Sequence, residues 1–341
     1  MIKIVGDINF TDGFFDTGFG IGSSIKKGDN PFKYLQRNKE DFWFGNFECV
    51  ASDKSNKEGI YRDQFRISQE DLKHIEHFDL YNVSNNHVMQ HGKEAYEDMC
   101  SYLISSGCDI VGKNSNRTTI FNYKDKSFGV LAFSQREEKY SKNPLYWYNP
   151  ELSEIQNEFK KISNLDFKIA YVHWGNEFIN KPYADQVILA HYLIDCGFDL
   201  VVGLHPHVLQ GYEIYKGKHI FYSLGNFVFN MPTEATRYST VLNLDLDKEG
   251  LLLVDYEYIK IGKDNFPKIV EKEKVPQDYT FDYLNTLIYP LKENELYYKE
   301  VFLCIRKYRK ENIKTLIANL HKFKIRDVLD IFKDYFKRRF K

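Results

Sequence analysis

Two histidines stand two residues apart in the segment LVVGLHPHVL, which spans residues 200–209. His205 and His207 follow an apolar run, 200–202, that is typical of a buried strand. Pro206 stiffens the backbone between them, so the two imidazoles can converge on one metal ion just past the strand end. The alternative is a pair of polar loop histidines, and the pair alone favours neither interpretation.

More oxygen and nitrogen donors follow other predicted strands. They are Asp7, Glu48, Asn86, His87 and His173. Each also has an ordinary structural explanation, such as capping a turn or placing a charge on an edge strand. Taken together, donors of this kind without thiolates suit Mn, Zn or Fe. A glutamate can bridge two ions, and two ions roughly 3.5–4 Å apart can clamp a phosphoester oxygen and generate a hydroxide nucleophile.

The elements that must position these donors alternate between strands and helices. Apolar runs predict strands at 1–5, 41–49, 79–83, 109–112, 167–172, 200–202 and 219–222, and hairpins at 118–133 and 239–259. Helical spacing predicts helices at 32–37, 69–77, 93–106, 151–162 and 183–196, with a loop at 11–29. The pattern predicts an α/β fold whose functional side chains lie on one rim of the strands.

The composition is that of a soluble globular protein, with 43% apolar and 28% charged residues in a chain of 341. The sequence contains neither an 18-residue apolar run, which would indicate a spanning helix, nor a secretory signal at its N-terminus. Five cysteines are scattered without C-x-x-C spacing, which indicates reduced thiols rather than disulfides or a zinc knuckle. We therefore predict a cytoplasmic protein.

Six short motifs together resemble a known family. In chain order they are GD at 6–7, GNFE at 45–48, NNH at 85–87, HWGNE at 173–177, DLVVGLHPHV at 199–208 and FYSLGNFVF at 221–229. The sequence resembles the CapA-like capsule and poly-γ-glutamate synthesis family, within the calcineurin-like metallophosphoesterase superfamily, over about residues 1–260. The resemblance implies a calcineurin-like four-layer αββα sandwich over 1–275, followed by a basic helical extension over 276–341.

The resemblance also implies roles for individual residues. Asp7 and His207 would hold a first metal ion, and Asn86, His173 and His205 a second, with Glu48 bridging the two. His87 would protonate the leaving oxygen or stabilise charge in the transition state, and Glu177 would be a further catalytic or substrate-facing group. Residues that would contact the substrate or support the ligands are Asn9, Asn46, Asn85, His91 and Asn226.

Two positions depart from the family pattern. Asn9 stands where the superfamily often has a histidine, which predicts a weakened first metal site. Gln90 stands where the family usually has an aspartate, so His87 lacks an orienting carboxylate. These departures leave two alternatives open, an enzyme of low activity and a site that binds without cleaving.

The net charge of –1 conceals an asymmetry. Residues 299–341 carry 14 Lys or Arg and 5 Asp or Glu, a net of +9, which leaves –10 for the first 298 residues. Apolar residues recur at helical spacing in this tail, and the chain ends in KRRFK at 337–341. The tail is either a helix packed on the core, the commoner case, or a basic amphipathic helix on an anionic membrane surface. No motif for specific nucleic-acid binding accompanies the charge.

These observations predict a metal-dependent phosphoester hydrolase or phosphoryl-transfer enzyme in capsule or poly-γ-glutamate synthesis. Its cofactors would be two divalent ions, and its partner an anionic or phosphorylated glycan or polymer precursor. The alternative is a non-catalytic, metal-containing component that binds polymer within a capsule synthesis or export assembly. Further candidate partners are capsule-assembly proteins and, through 299–341, the inner face of the membrane.

Overall fold

A computed structural model gives the positions of residues 1–288, 294–325 and 328–329. The strands are β1 (Ile2–Ile8), β2 (Phe42–Phe47), β3 (Val50–Ala51), β4 (Arg66–Ile67), β5 (Leu80–Asn82), β6 (Asp109–Val111), β7 (Thr118–Tyr123), β8 (Lys126–Ser134), β9 (Phe167–His173), β10 (Leu200–Leu204), β11 (Leu209–Tyr215), β12 (Lys218–Leu224), β13 (Asn226–Val228), β14 (Tyr238–Leu246), β15 (Leu252–Ile261) and β16 (Pro267–Val270). The α-helices are α1 (Ile21–Ile25), α2 (Gln69–Leu72), α3 (Lys93–Ser105), α4 (Leu152–Phe159), α5 (Ala184–Cys196), α6 (Phe281–Leu284) and α7 (Asn294–Asn319).

Two large sheets form the centre of the molecule. The first has the order β16-β15-β14-β1-β2-β5-β6, with β13 also paired to β1. Its strands β1, β2, β5 and β6 run parallel. The second has the order β11-β12-β10-β9-β8-β7, and its strands β12, β10, β9 and β8 run parallel. Parallel strands gather their carboxyl ends at one edge of a sheet, where α/β proteins commonly bind ligands.

The sheets pack face to face, and helices cover both outer faces. One buried cluster joins Ile4 and Phe44 of the first sheet to Val130 and Ile169 of the second. A second cluster packs α3 on the outer face of the first sheet, and a third packs α4 and α5 on the outer face of the second. The predicted four-layer αββα sandwich is confirmed.

One predicted helix is wrong. Residues 32–34 form a turn and 35–37 are irregular, because the Asn30 side chain accepts a hydrogen bond from the Phe32 amide (2.8 Å) and starts a local turn instead. The predicted helix at 69–77 is shorter, ending at Leu72. A short helix, α1, lies inside the segment predicted to be a loop.

Several short strands were not predicted. They are β3, β4, β11, β13 and β16. β3 and β4 have two residues each and pair with one another in parallel. A strand of two residues is too short to show an alternation of polar and apolar residues in the sequence. Two of these strands bear directly on the site, because β4 follows Phe65 and β13 begins at Asn226.

The C-terminal part contains the long helix α7, of 26 residues. Tyr297 and Val301 on its inner face pack against Ile179 in a small buried cluster. The boundary at 275 remains a prediction, and Phe281 and Leu284 of α6 lie in the core between the sheets. Residues 330–341 of the predicted basic helical extension, which include the KRRFK terminus, lie outside the described residues. No described helix is both long and apolar enough to cross a bilayer.

Candidate metal centre

The predicted donors meet at one edge of the two sheets. Asp7 lies near the end of β1, Glu48 directly follows β2, and His173 ends β9. His205 and His207 follow β10. All five side chains are almost completely buried, so the cluster is an internal site and not a surface patch.

Glu48 is at the centre of this cluster. It belongs to two groups of potential metal-binding atoms that each lie within 4.8 Å of one another, one formed with His205 and His207 and the other with Asp7 and His173. Its Oε1 lies 3.7 Å from His173 Nε2 and 3.9 Å from His207 Nε2. A carboxylate shared by two such groups has the placement that a bridging ligand requires.

One side of the site joins donors from three segments. Asn86 Oδ1 lies 2.8 Å from His173 Nε2, and that nitrogen lies 3.1 Å from His205 Nδ1. An amide oxygen and two imidazole nitrogens at these separations can face one ion. These are the three residues predicted to hold the second metal.

The other side is built around Asp7 and His207. The Asp7 carboxylate (Oδ2) lies 3.4 Å from His207 Nδ1 and accepts a hydrogen bond from the His205 amide (3.2 Å). Asn226 Oδ1 lies 3.0 Å from His207 Nδ1. Asn226 comes this close because β13 pairs with β1, and Gly6 permits that approach: a Cβ there would lie 1.8 Å from the Gly225 carbonyl oxygen.

Burial dominates the electrostatics of the cluster. It raises the pKa of Glu48 well above its usual range, and the charge of Asp7 adds to the effect. Burial likewise lowers the pKa of His173 to about 3 and that of His205 well below normal. For Asp7, burial is outweighed by His207, His173 and Asn46, so its pKa lies below the usual value.

His87 lies beside the cluster and is held on two sides. Its Nδ1 lies 3.0 Å from Gln90 Oε1, and its Nε2 lies 3.9 Å from Glu48 Oε1. Phe65 stacks flat on the ring, with centroids 3.7 Å apart and planes within 1°. Burial lowers the pKa of His87 to about 4, although Gln90 opposes the shift. Gln90 therefore orients the imidazole, despite replacing the expected carboxylate.

A network of asparagines supports the ligands. Asn46 Nδ2 donates to Asp7 Oδ1 (2.8 Å) and lies 3.3 Å from His173 Nδ1. Asn46 Oδ1 in turn accepts from Asn82 (2.8 Å) and Asn85 (3.1 Å). Asn82 was not among the residues predicted from the sequence. The sequence did show an asparagine near the end of a predicted strand, and that strand is the next one after the strand that contains Asn46.

Three of the predicted site residues are not members of the donor cluster. Asn9 Oδ1 accepts hydrogen bonds from the amide (3.0 Å) and hydroxyl (2.7 Å) of Thr11, which fixes the loop after β1. His91 lies between Ser55 Oγ (2.8 Å) and the Gln64 carbonyl (2.7 Å). Glu177 is half-buried in the segment that follows His173, and its charge contributes to raising the pKa of both Glu48 and His207.

The backbone around the site is strained at four residues with side chains. His205 and His207 have φ of 94° and 60°, and Phe65 and Phe178 have φ of 55° and 67°. Such conformations cost on the order of 1–3 kcal/mol each and are concentrated at functional sites. The two phenylalanines lie beside site histidines: Phe65 stacks on His87, and the Phe178 ring lies 6.1 Å from that of His207.

The donor set fits divalent ions. Two of its buried polar atoms, Glu48 Oε1 and His205 Nε2, have no hydrogen-bond partner in the described part of the chain. Buried polar atoms are nearly always satisfied, so two orphans on residues of one cluster indicate a missing partner. Neutral imidazoles and carboxylates are also the protonation states that a metal ion binds or induces.

Comparison with known families adds a second, independent finding. The sequence model of the family "Bacterial capsule synthesis protein PGA_cap" matches residues 2–231. The chain belongs to this family. The match includes every residue of the donor cluster and ends before α6 and α7.

Two relatives in the family come from Bacillus. The capsule biosynthesis protein CapA of Bacillus anthracis is 28% identical over 281 residues, which cover 75% of this chain and 67% of the relative. The PGA biosynthesis protein CapA of Bacillus subtilis (strain 168) is 30% identical over 272 residues, which cover 74% and 70%.

Solved structures with similar folds include two nucleotidases. The 5'-nucleotidase of Candida albicans SC5314 has a TM-score of 0.48 and 14% identity, covering 91% of this chain and 57% of that one. The NAD nucleotidase of Haemophilus influenzae has a TM-score of 0.42 and 12% identity, covering 92% and 60%. With both scores below 0.5, the fold assignment depends on the layers and strand order of the chain itself.

Proposed function

We propose that this member of the family is a metal-dependent phosphoester hydrolase or phosphoryl-transfer enzyme that acts in the synthesis of a capsular polysaccharide or poly-γ-glutamate. The names of the two Bacillus relatives supply the biosynthetic setting. The donor cluster supplies the chemistry. The substrate we propose is an anionic or phosphorylated precursor of the polymer.

A single observation supports the proposal most strongly. Glu48 is shared by two groups of potential ligands, and its Oε1 is buried without a hydrogen-bond partner among the described residues. Two divalent ions bound there would supply Lewis acidity and a hydroxide nucleophile. Mn, Zn and Fe all suit a set of carboxylate, amide and imidazole donors.

Other residues of the chain would orient the ligands and transfer the proton. Asn46 orients Asp7 and His173 through contacts of 2.8 and 3.3 Å. His87 faces the centre with its Nε2 and is positioned to exchange a proton with the leaving oxygen. Because Gln90 is neutral, it stabilises an imidazolium less than a carboxylate would, which favours slow turnover.

Gln90 also favours a second function, in which the protein binds a polymer without cleaving it. With Gln90 in place of a carboxylate and the pKa of His87 lowered to about 4 by burial, the imidazole is uncharged at neutral pH. A metal centre with a poor proton donor can still hold an anionic polymer. In that case the protein would be a component of a synthesis or export assembly.

The test combines elemental analysis with a chromogenic phosphodiester assay on the full chain. Asp7→Ala and His205→Ala should lose metal, while His219→Ala, which removes a half-buried imidazole elsewhere, should keep it. We expect about two ions per chain, and turnover that falls at least a hundredfold in Glu48→Gln.

The outcomes separate the two functions. Bound metal with no turnover, together with poly-γ-glutamate binding that weakens in His207→Ala, would replace the hydrolase by the binding component. A chain that takes up no metal after reconstitution would reject both.

A further inference from the structure

Helix α7 presents two different faces. Its inner face contacts the body: Tyr308 stacks on Phe178 with centroids 3.9 Å apart, and Glu300 pairs with Lys181 at 2.5 Å. The outer face, one half-turn away, exposes large apolar side chains. Phe302 and Ile317 are both 62% exposed. Packing of the inner face on the body thus leaves the outer apolar residues uncovered.

Exposed apolar residues are concentrated in this part of the molecule. Nine of the twenty large hydrophobic side chains that are exposed among the described residues lie between 296 and 329. That range supplies only about a tenth of the described chain. Single exposed apolar residues are ordinary on protein surfaces, whereas a concentrated patch marks an interaction site. The members are Leu296, Tyr298, Phe302, Leu303, Ile313, Ile317, Leu320, Ile325 and Leu329.

Basic residues are interleaved with this apolar patch. Residues 294–325 contain eight Lys or Arg and three Glu. Arg306 and Arg309 lie between Phe302 and Ile313 at spacings of three and four residues, which places all four on one side of the helix. Within the described residues, neither arginine forms an ion pair, and two of the three glutamates already pair with lysines.

We propose that the outer face of α7, over residues 299–319, docks on an anionic lipid surface. Positive charge interleaved with apolar side chains suits a negatively charged leaflet, where the apolar groups enter the headgroup boundary. A second copy of the chain that docked through its own α7 would present the same positive charge and be repelled. The sequence that follows is also basic, with five Lys or Arg and two Asp over 330–341.

Docking in this way would bring the metal centre close to the lipid. Phe178 lies between Tyr308 of α7 and the ring of His207, with centroids 3.9 and 6.1 Å away. A helix with its side chains is about 10 Å thick, so the His207 ring would lie on the order of 15 Å from the lipid surface. This consequence rests on the proposed function and suits a lipid-linked phosphoester, but the docking itself does not depend on hydrolysis.

The experiment is flotation of the full chain with phosphatidylcholine vesicles, with and without phosphatidylglycerol. We expect binding only to the anionic vesicles and loss of that binding at high salt. The variant Phe302→Ser/Ile313→Ser/Ile317→Ser should bind at least tenfold more weakly, and so should Arg306→Glu/Arg309→Glu. Far-UV circular dichroism and the urea midpoint should be unchanged in both, which shows that they fold.

A matched control separates the face of α7 from general hydrophobicity. Ile104→Ser/Ile188→Ser/Ile214→Ser removes residues of similar exposure (58%, 67% and 60%) elsewhere on the surface and should bind as the parent does. The proposal is overturned if the parent ignores anionic vesicles, or if the control loses as much binding as the α7 variants. A parent dimer that the α7 variants dissociate, without vesicle binding, would assign the face to a second copy. Metal content and turnover report on the proposed function independently of all these outcomes.

Discussion

The stacked pair of Phe65 and His87 shows how much strain one residue carries at this site. Phe65 keeps a left-handed backbone, and its carbonyl accepts a hydrogen bond from the Val50 amide (2.7 Å) beside the pair of short strands β3 and β4. Bulky residues adopt this conformation only when their surroundings impose it. In return, a flat ring stacks on one face of His87.

Phe65→Leu should therefore loosen His87 without removing a ligand. We expect phosphodiester turnover to fall about tenfold, which corresponds to roughly 1.4 kcal/mol and is within the range of aromatic pairs. Metal content should stay the same, and diethylpyrocarbonate should modify His87 faster. Phe159→Leu, which loses a ring contact with Phe198 far from the site, is the control. Unchanged modification of His87 would contradict a positioning role for Phe65.

Asp16 is a buried acid whose ionisation should affect stability. Burial raises its pKa to about 8, and Asp12 adds to the shift. Asn230 and the Gly13 amide (2.6 Å) are its hydrogen-bond partners. Since the folded state keeps a proton that the unfolded state loses near pH 4, folding stability should fall as pH rises from about 4 to 8.

Asp16→Asn removes this dependence while keeping the shape of the neutral acid. Compared with the variant, the parent should lose up to about 1.4 kcal/mol of unfolding free energy per pH unit between pH 5 and 7. Urea unfolding at several pH values measures the difference. Asp53→Asn, at an exposed loop position, is the control and should follow the parent. Parallel curves for parent and Asp16→Asn would show that Asp16 is ionised in the fold.

At the scale of elements, α7 depends on a few aromatic contacts. Tyr308 stacks on Phe178, and the Tyr297 hydroxyl lies 3.3 Å from Asn176 Nδ2. Because the outer face of the helix buries little, these contacts supply much of its attachment. Tyr308→Ala should thus increase amide hydrogen exchange over 294–319 at least tenfold, with little change in β1, β9 and β10. Phe302→Ala, which removes an exposed ring, should leave exchange unchanged. Equal exchange in parent and Tyr308→Ala would mean that other contacts hold the helix.

The elements that carry the candidate metal ligands were predictable, but the contacts between these residues were not. β1, β9 and β10 are largely apolar runs with a donor at or beside their carboxyl end, which is a pattern that sequence shows directly. β13 has three residues and reaches β1 only because Gly6 has no Cβ, so the contact of Asn226 with His207 required the folded chain. The same applies to Phe65, whose position next to His87 depends on two-residue strands. The false helix at 32–37 arose because an Asx turn at Asn30 outweighs helical spacing.

At the scale of the whole molecule, the donor cluster joins the two sheets. Asp7 and Glu48 come from the first sheet, and His173 and His205 from the second. Without a cation, the fold must bury two carboxylates beside one another, and burial together with Asp7 raises the pKa of Glu48 well above normal. A bound divalent ion would compensate both charges and connect the sheets at their carboxyl edge. Metal binding should therefore stabilise the entire sandwich rather than one loop.

Removal of metal should consequently lower the free energy of unfolding. A ligand that binds only the folded state, at a free concentration of 100 times its Kd, contributes about 2.7 kcal/mol. We expect the urea midpoint to fall on chelation and to recover on addition of Mn, with one cooperative transition in both states. His205→Ala should show no such difference, whereas His219→Ala should respond as the parent does. If chelation leaves the parent midpoint unchanged while metal analysis shows that the ions were removed, the centre does not couple the sheets. The two orphaned atoms, Glu48 Oε1 and His205 Nε2, would then need another partner, such as a bound water.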